Sequence, residues 1–551
     1  MMSLTQLNVD ASAVPADTGW QRLERALVWV GDRLNPILVK ETRQALKSRQ
    51  FVITFALVLV LAWIWSILGV SLIGPSIFYA ARGFDMFLGY YAILAVPMLV
   101  VVPFGAFRSL ASEREDGTFE MLSITTLRPR QIVGGKLGSA VLQMLVYLSA
   151  VAPCLAFTYM LRGIDAPTIV YVICCFFLAS LGASVIGLVV ATLTQDKHWQ
   201  IVLSVLYLFG LAFLLFNALT IAFALMMQSG TPAFQDREFW IVNAIMLTAY
   251  VSYFALFYCA ASAQLTFASD NRSTALRMVM VVQQALLIGW FGWGFLQEQA
   301  RPDIGIVYFV FVGIHWAAMG ALINGELGEM SLRVKRQLPQ SLLGRAFFTW
   351  FNPGPATGFM FIVANLLAAT AVGGAFLAGD YVFRGGGAGV RGISVPRSVV
   401  MAFGLLELSY IVFYLGLARL VIGLLRRVTP VTLTLAVLLQ VLLVMAGSGI
   451  PVSIHLMTPS IRSGYSLIEI SNPFFSLNEV IQAGDFDADV VVLLIVVPIA
   501  AALVFLANVP AIVAAVHQVR IAKPKRVAEE DAELEALRAP PPGPSNPFED
   551  D

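Results

Sequence analysis

Long apolar runs, each near the roughly 20 residues that a bilayer core demands, alternate with short polar breaks along nearly the whole chain. Twelve runs predict membrane-spanning helices, over about 51–74, 86–107, 137–161, 167–194, 201–227, 239–268, 278–296, 304–324, 357–378, 398–418, 429–449 and 488–516. Gln283, Gln284 and His315 interrupt the seventh and eighth. Residues 1–17 are polar, without a basic stretch leading into an apolar one, so no cleavable signal peptide is expected. Residues 18–50 predict helix in two pieces split near 31–36. In the second piece Leu34, Leu38, Thr42, Ala45 and Leu46 share one face, and Lys40, Glu41, Arg43, Lys47 and Arg49 occupy much of the rest. That pattern suits a helix lying among lipid headgroups, and its place directly before a span favours this over an ordinary soluble amphipathic helix.

The break over 108–136 differs from the others. Arg108, Glu113, Arg114, Glu115, Asp116, Glu120, Arg128, Arg130 and Lys136 are each costly at a bilayer centre, so the stretch lies outside the lipid. Inside it Phe119, Met121, Leu122 and Ile124 form a small apolar set, Gly117 offers a break, and Pro129 can start a helix. A folded, partly apolar knob between two spans suggests a docking surface; a stretch that only caps its own helices is the plainer alternative.

Composition places the chain in the membrane. Of 551 residues 58% are hydrophobic and 13% charged, about half the charged share of a soluble protein. The net charge of +1 matters less than its distribution. With the N-terminus inside, eight arginines fall in outside loops (Arg82, Arg162, Arg237, Arg301, Arg384, Arg391, Arg397 and Arg462), and the other 27 of the 35 Lys and Arg fall inside. Such a bias supports an even span count and cytoplasmic termini. The expectation is an all-α polytopic protein of the cell membrane: a cytosolic N-terminus with an interfacial helix (1–50), a first six-span unit (51–268), a second (269–516) with a basic cytosolic linker (325–356), and a disordered tail (517–551). An outside segment, 450–487, carries Phe474, Phe475, Leu477 and Val480, which could pack at the interface. Asn35–Pro36 and Asn352–Pro353 echo each other, but before non-equivalent spans, so no internal repeat is drawn from them.

Reactive groups are sparse. His198, His315, His455 and His517 are isolated, and Cys154, Cys174, Cys175 and Cys259 all lie in apolar runs, where packing is their ordinary role. No catalytic or metal residues are expected, and nothing points to nucleic acid. Gly134-Gly135-Lys136 resembles the end of a phosphate-binding loop, but position 130 is Arg rather than Gly and position 137 is Leu rather than Ser or Thr. Within the spans Glu407 is the clearest ionisable group, a candidate functional carboxylate or a hydrogen-bonded packing residue.

The amphipathic stretch NPILVKETRQALKSRQF, two spans and the segment ASEREDGTFEMLSITTLRPRQIVGGK together resemble the membrane subunits of ATP-binding cassette transporters of the type-2 exporter class. The likeness covers about 34–268, and Asn472–Pro473 resembles the Asn-Pro segment such permeases carry before their last helix. Those proteins have an elbow helix and, between spans two and three, a coupling helix beside an E-R-E-x-G-T-x-E-x-L segment. The matching positions are Glu113, Arg114, Glu115, Gly117, Thr118, Glu120 and Leu122, with Thr126, Pro129, Gly135 and Lys136 following. The resemblance implies that Glu113, Arg114, Glu115, Gly117, Thr118, Phe119, Glu120, Leu122 and Pro129 meet a separate ATPase subunit. That partner would bind the ATP, and this chain would hold no cofactor. The family's unit has six spans, so twelve imply either two fused units or one unit with extra spans, which leaves homodimerisation open. A proton-coupled twelve-span carrier using Glu407 is the alternative.

Overall fold

A computed structural model describes residues 35–117, 127–193, 197–227, 232–267, 270–297, 302–326, 331, 334, 341, 344, 347–384, 395–457, 465–483, 486–518 and 525–538. All regular structure in these residues is helical, and twelve helices are long and apolar enough to cross a membrane. The protein is an all-α polytopic membrane protein. It divides into two compact units, Met1–Thr266 and Phe267–Asp551.

In the first unit, α1 (Pro36–Leu46) precedes α2 (Arg49–Ile73). The second span is composite: α3 (Gly83–Val96), one π-helical turn (Pro97–Val101) and α4 (Val102–Glu115). Pro97 and Pro103 remove two backbone donors here, and the wide turn absorbs the change. The hydroxyl of Ser180 donates to the Met98 carbonyl within it. Then come α5 (Pro129–Met160), α6 (Ala166–Thr192), α7 (Lys197–Met227) and α8 (Arg237–Leu265). Lipid tails are as apolar as the side chains, so close packing and interhelical hydrogen bonds hold such a bundle. Ser66 Oγ lies 2.7 Å from Tyr90 Oη, and the hydroxyls of Tyr207 and Tyr250 donate to the carbonyls of Ala183 and Leu178, each at 2.8 Å.

The second unit contains α9 (Thr274–Gln297), α10 (Pro302–Asn324), α11 (Pro355–Arg384), α12 (Arg397–Leu425) and α13 (Leu433–Met457). A 3-10 turn (Leu467–Ser471) and the short α14 (Pro473–Ala483) precede the last span, α15 (Ala488–Gln518). Val480 and Ser476 of α14 are buried, whereas Phe474 is 70% exposed, so only one edge of the expected apolar set packs inward. Asn472 caps α14 by accepting from the amides of Phe474 and Phe475. Asn35 does the same for α1 through the Ile37 amide. Asn352 makes no such cap; its side chain donates to the Phe348 carbonyl. The shared Asn-Pro signature of the first two is therefore helix-start chemistry, Asn at the cap and Pro in the first turn.

Two expectations change. The polar stretch 108–136 is not a knob along its whole length: α4 runs to Glu115 and α5 begins at Pro129, so its two ends are continuations of spans. Hydropathy drops where charge begins, but the backbone keeps its helical hydrogen bonds. The tail carries α16 (Lys525–Arg538), where disorder was expected across 517–551. KRVAEEDAELEALR is built of strong helix formers without Gly or Pro, and Arg526 lies 3.7 Å from Glu530 one turn on.

Candidate functional site

Three helix segments meet at the α1 end of the first unit: α1, the end of α4 and the start of α5. The seat for α1 is Gly135. A Cβ there would lie 2.8 Å from the Ile37 side chain and 3.0 Å from the Leu38 amide nitrogen, so only glycine allows this approach. Glu41, one turn after Ile37, is thereby carried over Lys136. The amphipathic pattern assigned Glu41 to the polar face; instead it is 9% exposed and faces α5. The reason is Lys136, whose side chain is 1% exposed and needs compensating charge.

That compensation is dense. Lys136 Nζ lies 3.1 Å from Glu41 Oε1 and 2.9 Å from Glu113 Oε2, and it donates to Ser109 Oγ at 2.6 Å. Ser109 Oγ in turn donates to Glu41 Oε2 at 2.9 Å. Two carboxylates on one ammonium leave a negative excess, which Lys40 offsets from the exposed side at 3.3 Å from Glu113 Oε1. Three helices are thus locked by a five-residue polar network of Lys40, Glu41, Ser109, Glu113 and Lys136. Arg114 adds a fourth, donating from Nη1 to the Thr192 carbonyl at the end of α6 at 2.6 Å.

The other expected residues are dispersed. Glu115 is exposed. Gly117 ends the helix with φ +67°, the left-handed conformation that glycine adopts without a Cβ penalty. Pro129 opens α5, where Gln131 Oε1 accepts from the Arg128 amide at 2.9 Å, half of a capping box. Thr118, Phe119, Glu120 and Leu122 lie outside the described residues. Glu407 is in α12, in the other unit, and packs on Gly313 of α10 so tightly that a Cβ there would meet Glu407 Oε1 at 1.9 Å. His315, two residues from Gly313, projects about 200° away around α10. Glu407 is buried and has no hydrogen-bond or ion-pair partner among the described residues.

The second unit has its own charge cluster, which sequence reasoning did not single out. Arg277 is fully buried. Its Nη1 donates to the Trp350 carbonyl at 2.6 Å, and its Nη2 to Glu326 Oε2 at 2.7 Å and the Gly354 carbonyl at 3.1 Å. Glu326 also accepts from the Gly354 amide and Ser273 Oγ. Arg426 donates to the Glu326 carbonyl at 2.7 Å, and burial pulls its guanidinium below the usual value. Arg419 of α12 extends the theme: its Nη1 donates to Asn508 Oδ1 of α15 at 2.8 Å. Among the described residues no three His, Cys, Asp or Glu come together as a metal site. No family model, curated protein or solved structure matches the chain.

Proposed function

We propose that this protein is the membrane-spanning permease subunit of an ATP-binding cassette exporter, driven by hydrolysis in a separate ATPase subunit. One observation carries the reading: the Lys136–Glu41–Glu113 lock sits at the root of the segment between α4 and α5. A push on that segment would reach α4 and α5 directly and α1 through the lock, so force applied from outside the bilayer would move three helices together. The segment's Phe119, Met121, Leu122 and Ile124 supply apolar anchors for a partner pocket, and Glu113, Glu115 and Glu120 supply flanking charge for register. In this reading the partner binds ATP, this chain has no catalytic residue, the segment faces the cytoplasm with both termini, and the membrane is the cell membrane.

Co-purification tests the proposal. The full chain should carry an ATPase subunit, and Phe119→Asp with Leu122→Asp should lower its recovery at least tenfold and abolish ATP-dependent export. Unchanged export in that double variant would sink the idea. The stoichiometry of the complex decides whether one chain or two form the transmembrane domain.

A second reading has one observation in its favour, the buried Glu407 without a described partner. A proton-coupled carrier would lose gradient-driven transport in Glu407→Gln, with no dependence on ATP. If the permease reading is right, the same variant exports at near wild-type rate.

A further inference from the structure

The charge lock forms one wall of a cavity of about 300 Å³ between α1, the start of α2, α4 and α5. Its lining is polar at the α1 end, with Gln44, Ser48, Ser112, Ser139 and Gln143 among the residues. Two cations, Arg108 and Lys136, line it against one carboxylate, Glu41, which leaves one positive charge. Glu113, the second carboxylate on Lys136, is already balanced by Lys40. The two cations are not equivalent. Lys136 is satisfied by its own network, whereas Arg108 is exposed and has no hydrogen-bond or ion-pair partner among the described residues. A guanidinium is the side chain best suited to bidentate binding of a phosphate.

A second cavity, of about 310 Å³, adjoins the first between α2 and α3. Its lining is almost wholly apolar, from Leu57, Val58 and Leu61 on α2 to Ile93, Val96 and Pro97 opposite. Val101, the last residue of the π turn, lines both cavities. The hydroxyls of Thr54, in the apolar cavity, and Tyr147, in the polar one, are hydrogen-bonded to each other at the junction. Along α2 the lining runs from Gln50 to Leu61, about 16 Å at 1.5 Å per residue, close to half of a roughly 30 Å hydrocarbon core. Polar space at the α1 end thus continues into apolar space, the two together about half a hydrocarbon core long.

We infer that these joined cavities bind one glycerophospholipid with an anionic headgroup, drawn from the leaflet that borders α1. Its phosphate lies at Arg108, with the serine and glutamine side chains around the glycerol, and one acyl chain runs between α2 and α3 past the π turn. The inference rests on the membrane placement of the helices and is independent of any ATPase partner.

Two substitutions separate the charge that holds the headgroup from the space the headgroup occupies. Arg108→Gln removes an exposed charge that no described residue uses. Gly105→Leu fills the polar cavity from α4, at a position where an added Cβ meets no atom within 4 Å. The full-length protein, purified from bilayers of phosphatidylcholine with a minor fraction of phosphatidylglycerol, would be studied by native mass spectrometry under increasing detergent. Wild type should retain one phosphatidylglycerol after other lipid is stripped. Arg108→Gln should weaken that retention about tenfold, the scale of one charge-assisted contact, without changing retention of phosphatidylcholine. Gly105→Leu should abolish it. Wild-type retention in both variants overturns the inference, and so does displacement of the lipid by inorganic phosphate, which would mark a free-anion site. If Gly105→Leu lowers the unfolding temperature of lipid-free protein, Arg108→Gln alone decides.

Discussion

The two units each bury a cation near helix ends, and they satisfy it in different ways. In the first, Lys136 is held mainly by side chains, two carboxylates and a hydroxyl from α1 and α4, with one longer contact of 3.3 Å to the Ser109 carbonyl. In the second, Arg277 spends two of its three short contacts on backbone carbonyls, Trp350 and Gly354, and only one on a carboxylate. The planar guanidinium can reach fixed acceptors in several directions, whereas an ammonium is a point charge around which partners can shift. The arginine therefore pins a stretch of backbone before α11 into one shape. The lysine joins three helix segments through groups that can rotate, and it borders open polar space. One cluster is suited to holding a loop still, the other to letting helices move while staying joined.

Replacing Arg277 by Met should give the largest effect if this contrast is right. It would leave the half-buried Glu326 without its cation and the Trp350 carbonyl without its donor, at about 3–5 kcal/mol, read as lost unfolding free energy in detergent. Arg277→Lys should recover little, because one ammonium cannot reach all the acceptors; full recovery would break the contrast. Lys136→Met should cost somewhat less, about 2–4 kcal/mol, since water from the adjoining cavity can solvate the two carboxylates left behind. Adding Glu41→Gln should return part of that loss, with a coupling of about 1–3 kcal/mol in a double-mutant cycle; simple additivity would show that the two side chains do not act as a lock. Lys40→Ala should be the mildest. Its side chain is 55% exposed, and an exposed pair contributes about 0–1 kcal/mol, falling with salt. A larger or salt-independent loss would mean that Lys40 belongs to the buried network.

Much of the fold was legible because a bilayer imposes a one-dimensional rule: a run of about 20 apolar residues must be a helix when no water can satisfy its backbone. That rule placed twelve spans, and the amphipathic pattern placed a helix before the first. It failed at span ends. Residues 108–136 read as one break between spans, yet 108–115 continue the span before it and 129–136 belong to the span after it, because charge ends hydropathy without ending backbone hydrogen bonding. It also assigned Glu41 to the wrong surroundings, since periodicity on one helix carries no information about a lysine 95 positions away on another.

The sequence by itself determined that this is an all-helical membrane protein, with its charge concentrated between spans and no local reactive motif. Only the tertiary structure decided which charges belong together. Lys136, Glu41 and Glu113 come from three segments, and Arg277 meets Glu326 and Gly354 across long stretches of chain. Burying an ion requires a partner within about 3 Å in space, and a linear pattern of polar and apolar positions does not encode that distance.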